Sequence, residues 1–260
     1  MDGLIGLHFT GVVPPVTFAH EGHDHDEMMR DLIGGWNALG VSAALVTGEL
    51  AHTPPSLVVM DVDSTLITTE VIEEIAEYAG VAEEVERVTL AAMRGEMDFT
   101  ESLQERVSLL AGVPTSALDE VASKVRFSPG AKRLVDAVHT SGGAVGVVSG
   151  GFHEVIDPLA ERLGIDYVRA NRLESSKGEL TGRPYGPIID ETAKLETLRE
   201  WNAAHPGPTV AIGDGANDLK MIDGADLGIA YCAKPVLAKA ADAVIPFARL
   251  DAAALLADLI

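Results

Sequence analysis

The chain has 260 residues, enough for one large domain or two small ones with a core that needs no covalent cross-links. Its 19 basic and 40 acidic residues give a formal net charge of −21, which opposes binding to nucleic acid and to anionic membrane surfaces. The single cysteine, Cys232, excludes an internal disulfide and a four-cysteine zinc site. Composition and charge favour a cytoplasmic protein that binds neither nucleic acid nor membranes.

Residues 1–52 differ in sequence pattern from the rest of the chain. No Lys or Arg precedes Arg30, and no apolar run in the chain reaches the roughly 18 to 20 residues that span a bilayer. We therefore expect neither a signal peptide nor a membrane helix. A helix is predicted from about Met28 to Leu39. Before it, His20, His23 and His25 stand among acids, a pattern that fits either a transition-metal site or a polar surface loop.

Short β-branched runs alternate with helical patterns from Ser56 onward, as expected of a parallel sheet covered by helices on both faces. The predicted strands are Leu57–Met60, Ala144–Ser149, Tyr167–Ala170, Val210–Gly213, Leu227–Ala230 and Ala243–Pro246. The predicted helices are Glu70–Tyr78, Gly130–Thr140, Glu154–Leu163, Glu191–Asn202, Asp218–Asp223, Pro235–Ala240 and Ala252–Leu259. Two further short strands, Asn171–Glu174 and Leu180–Arg183, predict a hairpin. The pattern indicates a doubly wound α/β fold.

The stretch between the first and second predicted strands is too long for an ordinary crossover. It shows only helical periodicity, with apolar Leu103, Val107 and Leu110 at i, i+4 and i+7. We interpret it as a helical cap inserted after the first core strand. The predicted units are therefore an N-terminal segment (1–52), a core (53–78 and 127–260) and a cap (79–126).

The first predicted strand ends at Asp61-Val62-Asp63-Ser64-Thr65. Residues two apart on a strand face the same side, so both carboxylates project from the carboxyl end of a parallel strand, where open α/β sheets bind ligands. One carboxylate there can attack as a nucleophile while the other donates and then removes a proton. The alternative for an isolated Asp-x-Asp is that one carboxylate only caps a turn.

Two later strand ends add an anion site and further carboxylates. Ser149-Gly150-Gly151 precedes a helical pattern, so its backbone N–H groups and the serine hydroxyl can bind an anion, although many such turns use glycine only for its backbone freedom. The loop Gly213-Asp214-Gly215-Ala216-Asn217-Asp218 offers Mg²⁺ ligands, but alone it equally fits a simple turn or a Ca²⁺ loop. Lys194 supplies a point charge suited to a phosphoryl group, although a lone lysine is more often solvated.

Taken together and in this order, the motifs resemble those of the haloacid dehalogenase superfamily of phosphatases. The segments most similar to its phosphoserine phosphatase family are Asp-Val-Asp-Ser-Thr (61–65), Val-Val-Ser-Gly-Gly-Phe (147–152), Ala-Asn-Arg-Leu (170–173), Gly-Asp-Gly-Ala-Asn-Asp (213–218) and Cys-Ala-Lys-Pro (232–235). The combination is specific, although each piece alone is not. The resemblance implies the superfamily's Rossmann-like parallel sheet with a helical cap.

The resemblance also implies a role for each motif residue. Asp61 is then the nucleophile that becomes an aspartyl-phosphate, and Asp63 is the general acid and afterwards the general base. A Mg²⁺ ion is implied, bound by Asp61, by the backbone carbonyl of Asp63 and by Asp214, with Asp218 behind them. The remaining implied contacts are Ser149, Gly150 and Lys194 with the phosphoryl oxygens, and Gly151 and Asn217 with the substrate.

Substrate choice is expected to depend on the cap and the entrance to it. Glu70 matches the family position that accepts a substrate ammonium, Arg106 matches the one that grips a carboxylate, and Phe99 would pack against the substrate. Without the resemblance, Glu70 is a first-turn acid, and Arg106 pairs on the surface with Glu101 or Glu105. With it, opposite charges stand where O-phosphoserine would need them.

The expected function is Mg²⁺-dependent hydrolysis of O-phospho-L-serine, the last step of serine biosynthesis. A phosphotransferase, or a phosphatase for another small phosphomonoester, uses the same chemistry and is the alternative. A non-catalytic protein on this fold is disfavoured because Asp61, Asp63, Lys194 and Asp214 are all present. Residues 1–52 are too short for the complete ACT-type regulatory domain of many relatives, and the sequence leaves a homodimer open.

Overall fold

One sheet runs through the part of the chain that the computed structural model describes, which comprises residues 42, 44, 46–94 and 96–260. Its seven strands are β1 (Leu57–Met60), β2 (Ala144–Phe152), β3 (Tyr167–Ser176), β4 (Glu179–Tyr185), β5 (Thr209–Gly213), β6 (Leu227–Tyr231) and β7 (Ala243–Ile245). They lie in the order β4-β3-β2-β1-β5-β6-β7, and all neighbours are parallel except β3 and β4. The helix predicted at Met28–Leu39 and the cluster of His20, His23 and His25 lie outside the described residues.

Helices cover both faces of this sheet. They are α1 (Val71–Ala79), α2 (Ala82–Met93), α3 (Phe99–Ser108), α4 (Ser116–Lys124), α5 (Ala131–Thr140), α6 (His153–Leu163), α7 (Glu191–Ala204), α8 (Leu219–Asp223), α9 (Pro235–Ala240) and α10 (Ala252–Leu256). On β1, Met60 packs in one buried cluster with Leu134 of α5, whereas the adjacent Val59 packs in another with Trp201 of α7. Burial on both faces explains why the parallel strands are apolar throughout, and the predicted doubly wound α/β fold is confirmed. Among the described residues, no helix is both long enough and apolar enough to cross a bilayer.

The largest differences from the predicted elements concern β2 and β3. β2 continues through Gly150 and Gly151 to Phe152, although glycine weakens a strand pattern. β3 continues to Ser176, so the first strand of the predicted hairpin is its second half. β3 pairs first with β2 and then, from Arg172 onward, with β4. The alternation of side chains along a strand does not depend on which strand is its neighbour, so the sequence pattern does not reveal such a change of partner.

Helices α2, α3 and α4 lie in the stretch predicted as a cap, and backbone hydrogen bonds connect the loop between α3 and α4 to the β3–β4 hairpin. Gly112 N–H donates to Leu180 O at 2.8 Å, and Leu180 N–H donates to Val113 O at 2.8 Å. Thr115 N–H donates to Gly178 O, also at 2.8 Å. The hairpin therefore holds the loop between α3 and α4. The assignment of residues 79–126 to a cap stays a prediction.

Candidate active site

Asp61 lies directly after β1, at the carboxyl end of the central strands. Its N–H donates to Ile212 O of β5 at 2.9 Å, which extends the β1–β5 ladder by one residue. Its side chain is 4% exposed, and Oδ1 accepts a hydrogen bond from Val62 N–H at 2.7 Å. The chain then turns sharply through residues 62–66, where Ser64 has a positive φ of 55°. Such strained backbone recurs at active sites.

Lys194 places its ammonium group between two buried carboxylates. Nζ lies 2.9 Å from Asp61 Oδ1 and 2.7 Å from Asp218 Oδ1, and the lysine side chain is 1% exposed. Asp218 Oδ2 accepts hydrogen bonds from the N–H groups of Gly215 (3.0 Å) and Asp214 (3.2 Å). A buried ammonium with two carboxylate partners is a fixed positive charge beside Asp61 rather than a solvated side chain.

The charges of Asp61, Asp218 and Lys194 shift one another's pKa values in opposite directions. Burial, and then repulsion from Asp218, raise the pKa of Asp61 well above its usual value, although Lys194 lowers it. Burial lowers the pKa of Lys194, but Asp61 and Asp218 outweigh it and raise that pKa overall. Two carboxylates share one ammonium, so the lysine stays charged, and with both carboxylates ionised the triad would have an excess of negative charge.

This excess negative charge fits a divalent cation. Carboxylate oxygens of Asp61, Asp214 and Asp218 all lie within 4.8 Å of one another. Asp218 is already engaged by Lys194 and two N–H groups, whereas burial and Asp218 raise the pKa of Asp214 to about 6. A hard cation that takes oxygen ligands would relieve the repulsion, so the donor set suits a metal of the Mg²⁺ type.

Asp63 is held by two hydrogen bonds, one to each oxygen of its carboxyl group. Oδ1 accepts from Val71 N–H at the start of α1 (2.7 Å), and Oδ2 accepts from the Ser149 hydroxyl (3.0 Å). Burial, and then repulsion from Glu70, raise the pKa of Asp63 to about 7 despite these two donors. A carboxyl group with that pKa can both donate and accept a proton near neutral pH.

The Ser149-Gly150-Gly151 segment lies against Asp63. Gly151 N–H donates to Ser149 Oγ at 2.8 Å, and the same Oγ donates to Asp63. A Cβ on Gly151 would come within 2.8 Å of Asp63 Oδ2, so only glycine allows this approach. Phe99 of α3 reaches the same segment, since a Cβ on Gly150 would lie 3.3 Å from its ring.

Glu70 and Arg106 also face the aspartates. Glu70 Oε1 accepts a hydrogen bond from the Ser64 hydroxyl at 3.0 Å. Arg106 is half-buried and folds back along α3, where its Nε donates to Ser102 O at 3.2 Å. Burial lowers the pKa of Arg106, while Glu70 and then Asp63 oppose that shift. Arg106 thus interacts electrostatically with Glu70 and Asp63, instead of pairing with Glu101 or Glu105.

Two asparagines lie near the site, one with a predicted role and one without. Asn217 lies half-buried in the short turn Ala216–Asp218 after β5, and its contact with substrate stays a prediction. Asn171, which sequence analysis gave no role, is 1% exposed and hydrogen-bonds to Gly150 O. Its only signal was its place in the Ala-Asn-Arg-Leu segment, because a single asparagine in a strand has no distinctive pattern.

The titration of Asp63 and Asp214 predicts how stability depends on pH without metal. Both pKa values, about 7 and about 6, are higher in the folded protein than in an unfolded chain, so the folded state binds protons more tightly. Their contribution to stability is complete below the usual carboxyl pKa of about 4 and is lost as the pH rises through about 6 to 7. In EDTA, we expect a lower urea midpoint at about pH 8 than at about pH 5.

Asp63→Asn is the matched control for this titration because it removes one carboxyl group and keeps its shape. The difference in midpoint between the two pH values should be smaller in Asp63→Asn than in the wild-type protein. An equal difference in both proteins would show that Asp63 does not titrate in this range.

Known proteins with similar sequences and structures identify the family to which this chain belongs. The sequence profile of the haloacid dehalogenase-like hydrolases matches residues 58–223. A phosphoserine phosphatase from Streptococcus thermophilus is 52% identical over 184 residues, which cover 70% of this chain and 86% of the relative. The chain therefore belongs to the phosphoserine phosphatase family of the haloacid dehalogenase-like hydrolases.

Other relatives are similar over different lengths. A phosphoserine phosphatase from Streptomyces coelicolor is 49% identical over 242 residues, which are 92% of this chain but only 59% of that protein. A substrate-bound phosphoserine phosphatase complex aligns with a TM-score of 0.72 at 40% identity and covers 77% of this chain and 97% of its own. A probable phosphoserine phosphatase from Vibrio cholerae aligns with a TM-score of 0.77 at 37% identity, over 94% of this chain and 75% of its own.

Proposed function

We propose that the protein is a Mg²⁺-dependent phosphatase that hydrolyses O-phospho-L-serine to L-serine and phosphate. The observation that carries the proposal is the pair of aspartates after β1. Asp61 lies beside the Lys194 ammonium (2.9 Å), and Asp63 has a pKa of about 7 two residues further on. Named relatives with this activity, and a solved phospho-aspartyl intermediate analogue of one phosphoserine phosphatase, support the same chemistry.

The first step transfers the phosphoryl group to Asp61. A carboxylate oxygen of Asp61 attacks phosphorus while the bond from phosphorus to the serine oxygen breaks. Asp63, which carries a proton for much of the time near pH 7, gives that proton to the departing oxygen. L-Serine leaves as a neutral alcohol, and Asp61 is left as an aspartyl-phosphate.

The second step hydrolyses this intermediate. Water attacks phosphorus, Asp63 now takes the water proton, and the bond from phosphorus to Asp61 breaks. Phosphate is released, and both aspartates return to their starting protonation states. Val71 N–H and the Ser149 hydroxyl each donate to one oxygen of Asp63 and so orient its carboxyl group before the substrate binds.

Positioning and charge neutralisation supply most of the rate in phosphoryl transfer. Lys194 provides a fixed positive charge beside Asp61, and the Ser149 hydroxyl and the Gly150 N–H would donate to the phosphoryl oxygens. Asp61, the backbone carbonyl of Asp63 and Asp214 would hold Mg²⁺, with Asp218 behind them. When bound, the cation neutralises negative charge on the phosphoryl oxygens and on Asp61.

The amino-acid part of the substrate is assigned to Glu70, Arg106 and Phe99. Glu70 would accept the ammonium group and Arg106 would grip the carboxylate, while Phe99 would cover the phosphate segment and exclude water. Asn217 would contact the substrate from the loop after β5.

Residues 79–126 act as a cap on a core of residues 53–78 and 127–260 in this proposal. The single cysteine, Cys232, suits the reducing cytoplasm as the location of the enzyme, and light scattering will distinguish a monomer from a homodimer.

The test is phosphate release from L-phosphoserine, L-phosphothreonine and p-nitrophenyl phosphate, each with Mg²⁺ and with EDTA. We expect L-phosphoserine to be strongly preferred and EDTA to stop turnover. Turnover of p-nitrophenyl phosphate alone would overturn the substrate assignment and favour a phosphatase or phosphotransferase for another small phosphomonoester. No turnover of any substrate with Mg²⁺ would overturn the proposal itself.

Arg106→Ala tests the recognition of the amino-acid part. We expect it to lower kcat/KM for L-phosphoserine by about 10- to 100-fold, the size expected for loss of charge-assisted hydrogen bonds, and to leave p-nitrophenyl phosphate unaffected. Arg94→Ala is the matched control, since Arg94 makes an exposed ion pair with Glu96 in the same stretch and its loss removes the same charge. An equal effect of both variants on both substrates would contradict a specific role for Arg106.

A further inference from the structure

The Ser149-Gly150-Gly151 segment is a bulge in the ladder between β2 and β3. Val148 pairs with Arg169 and Phe152 pairs with Asn171, so the three residues of the segment face the single residue Ala170. Bulged residues lose ladder hydrogen bonds, and their backbone groups need other partners when they are buried. The orientation of these peptide groups is therefore set by whatever side chain replaces the ladder.

Asn171 provides that replacement. Its Nδ2 donates to Gly150 O at 2.8 Å, and its Oδ1 accepts from Ile189 N–H at 2.9 Å. The amide can satisfy a carbonyl and an N–H at once in only one orientation, because one end donates and the other accepts. Burial of the residue to 1% exposure keeps water from substituting for either bond.

The bond to Gly150 O acts on the catalytic groups through one rigid peptide unit. Gly150 C=O and Gly151 N–H belong to the same planar, trans peptide and point in opposite directions. Gly151 N–H donates to Ser149 Oγ (2.8 Å), which donates to Asp63 Oδ2 (3.0 Å). A hydrogen-bonded chain thus runs from Asn171 to the proposed general acid.

The other end of the amide reaches the element that carries the lysine. Ile189 immediately precedes Asp190, whose side chain accepts from Ala193 N–H (2.8 Å) at the start of α7, and Lys194 lies in the first turn of that helix. One side chain therefore connects the bulge on β2 with the approach to α7. These are the two elements assigned to the phosphoryl group.

We propose that Asn171 is a positioning residue that orients the Gly150–Gly151 peptide, and with it the Ser149 hydroxyl that donates to Asp63, at the site assigned to the phosphoryl group. The inference rests on the proposed phosphatase chemistry but not on the identity of the phosphomonoester. Asn171 touches neither substrate nor reacting atoms in this assignment, and acts through Gly150. Removal of the Asn171 side chain should weaken the binding of the phosphoryl group and leave the recognition of the amino-acid part unchanged.

Asn171→Asp is the sharpest test, because it keeps the acceptor for Ile189 N–H and replaces the donor to Gly150 O by an oxygen. We expect kcat to fall by about 10- to 100-fold on both L-phosphoserine and p-nitrophenyl phosphate. Losses of this size are typical when a hydrogen bond that orients a residue of the site is removed. Competitive inhibition by inorganic phosphate should weaken, whereas inhibition by L-serine should not change. The ratio of variant to wild-type kcat should rise as the pH falls, because the introduced carboxyl group can donate once protonated.

Glu154→Ala is the matched control. Glu154 Oε1 accepts from Leu173 N–H at 3.2 Å, so it ties α6 to β3 two residues from Asn171 without touching the bulge. The Glu154→Ala variant should be less stable than the wild-type protein and should have the same kcat. Asn171→Ser, which keeps a donor and leaves room for water, should give an intermediate loss of kcat and covers the case in which Asn171→Asp does not fold.

The outcomes separate this inference from the proposed function. If the Asn171 variants lose only stability, as Glu154→Ala does, and keep kcat and phosphate inhibition, the positioning role is wrong. If L-phosphoserine is not a preferred substrate but the Asn171 variants still lose turnover of p-nitrophenyl phosphate, the positioning role stands and the substrate assignment fails.

Discussion

Asp61→Asn is expected to lower kcat for every phosphomonoester by about 10⁴-fold or more, which is the scale of losing a covalent nucleophile. The amide keeps the shape of the carboxylate but cannot attack phosphorus. Acid-quenched wild-type enzyme should carry phosphate on Asp61 during turnover, as mass spectrometry can show, and the variant should carry none. Phosphate on another residue, or an unchanged kcat, would contradict the assignment of Asp61 as the nucleophile.

The same variant should fold, which separates lost chemistry from lost structure. Burial and Asp218 raise the pKa of Asp61, so its charge is unfavourable in the folded, metal-free protein, and a neutral side chain of the same shape relieves that cost. Lys194 keeps Asp218 as a partner. We expect the urea midpoint in EDTA to equal or exceed that of the wild-type protein. Asp166→Asn makes the same chemical change just before β3, where the Asp166 side chain accepts from Val145 N–H of β2, and should keep kcat.

Lys194→Met is expected to lower the free energy of unfolding by about 3 to 5 kcal/mol, the usual result of removing one partner from a buried ion pair. Asp61 and Asp218 would remain as two buried carboxylates without their shared cation. Turnover should be lost as well, because the fixed positive charge beside Asp61 disappears. Urea unfolding in EDTA measures the first effect, and phosphate release measures the second.

Two comparisons make this prediction specific. The double variant Lys194→Met/Asp218→Asn should regain much of the lost stability but no activity, since it removes one uncompensated charge without restoring the cation. The single variant should become more stable as the pH falls, because raised carboxyl pKa values mean that the folded state takes up protons first. Lys220→Met removes an exposed lysine near Glu191 and should be neutral. If Lys194→Met has the wild-type urea midpoint at neutral pH, the buried triad does not contribute to stability as described.

Much of the fold was predictable because it depends on local patterns. The strand Leu57–Met60 was predicted with its observed bounds, since four apolar residues before an acidic turn leave few alternatives. The helix Pro235–Ala240 was also predicted with its observed bounds, because proline favours the first helical turn. β3 was predicted too short, since its change of partner from β2 to β4 depends on residues distant in the chain.

The sequence alone determined the parallel core and the strand ends where chemistry occurs, because apolar periodicity and the pairing of parallel strands require polar side chains to collect at one edge. Only the tertiary structure decided which of those side chains meet. Lys194 lies between Asp61 and Asp218, Ser149 donates to Asp63 across 86 residues of chain, and Asn171 holds the Gly150 peptide. These contacts depend on burial and on hydrogen-bond geometry between separate elements. A residue type shows which bonds a side chain can make, and only the packed fold shows which of them it does make.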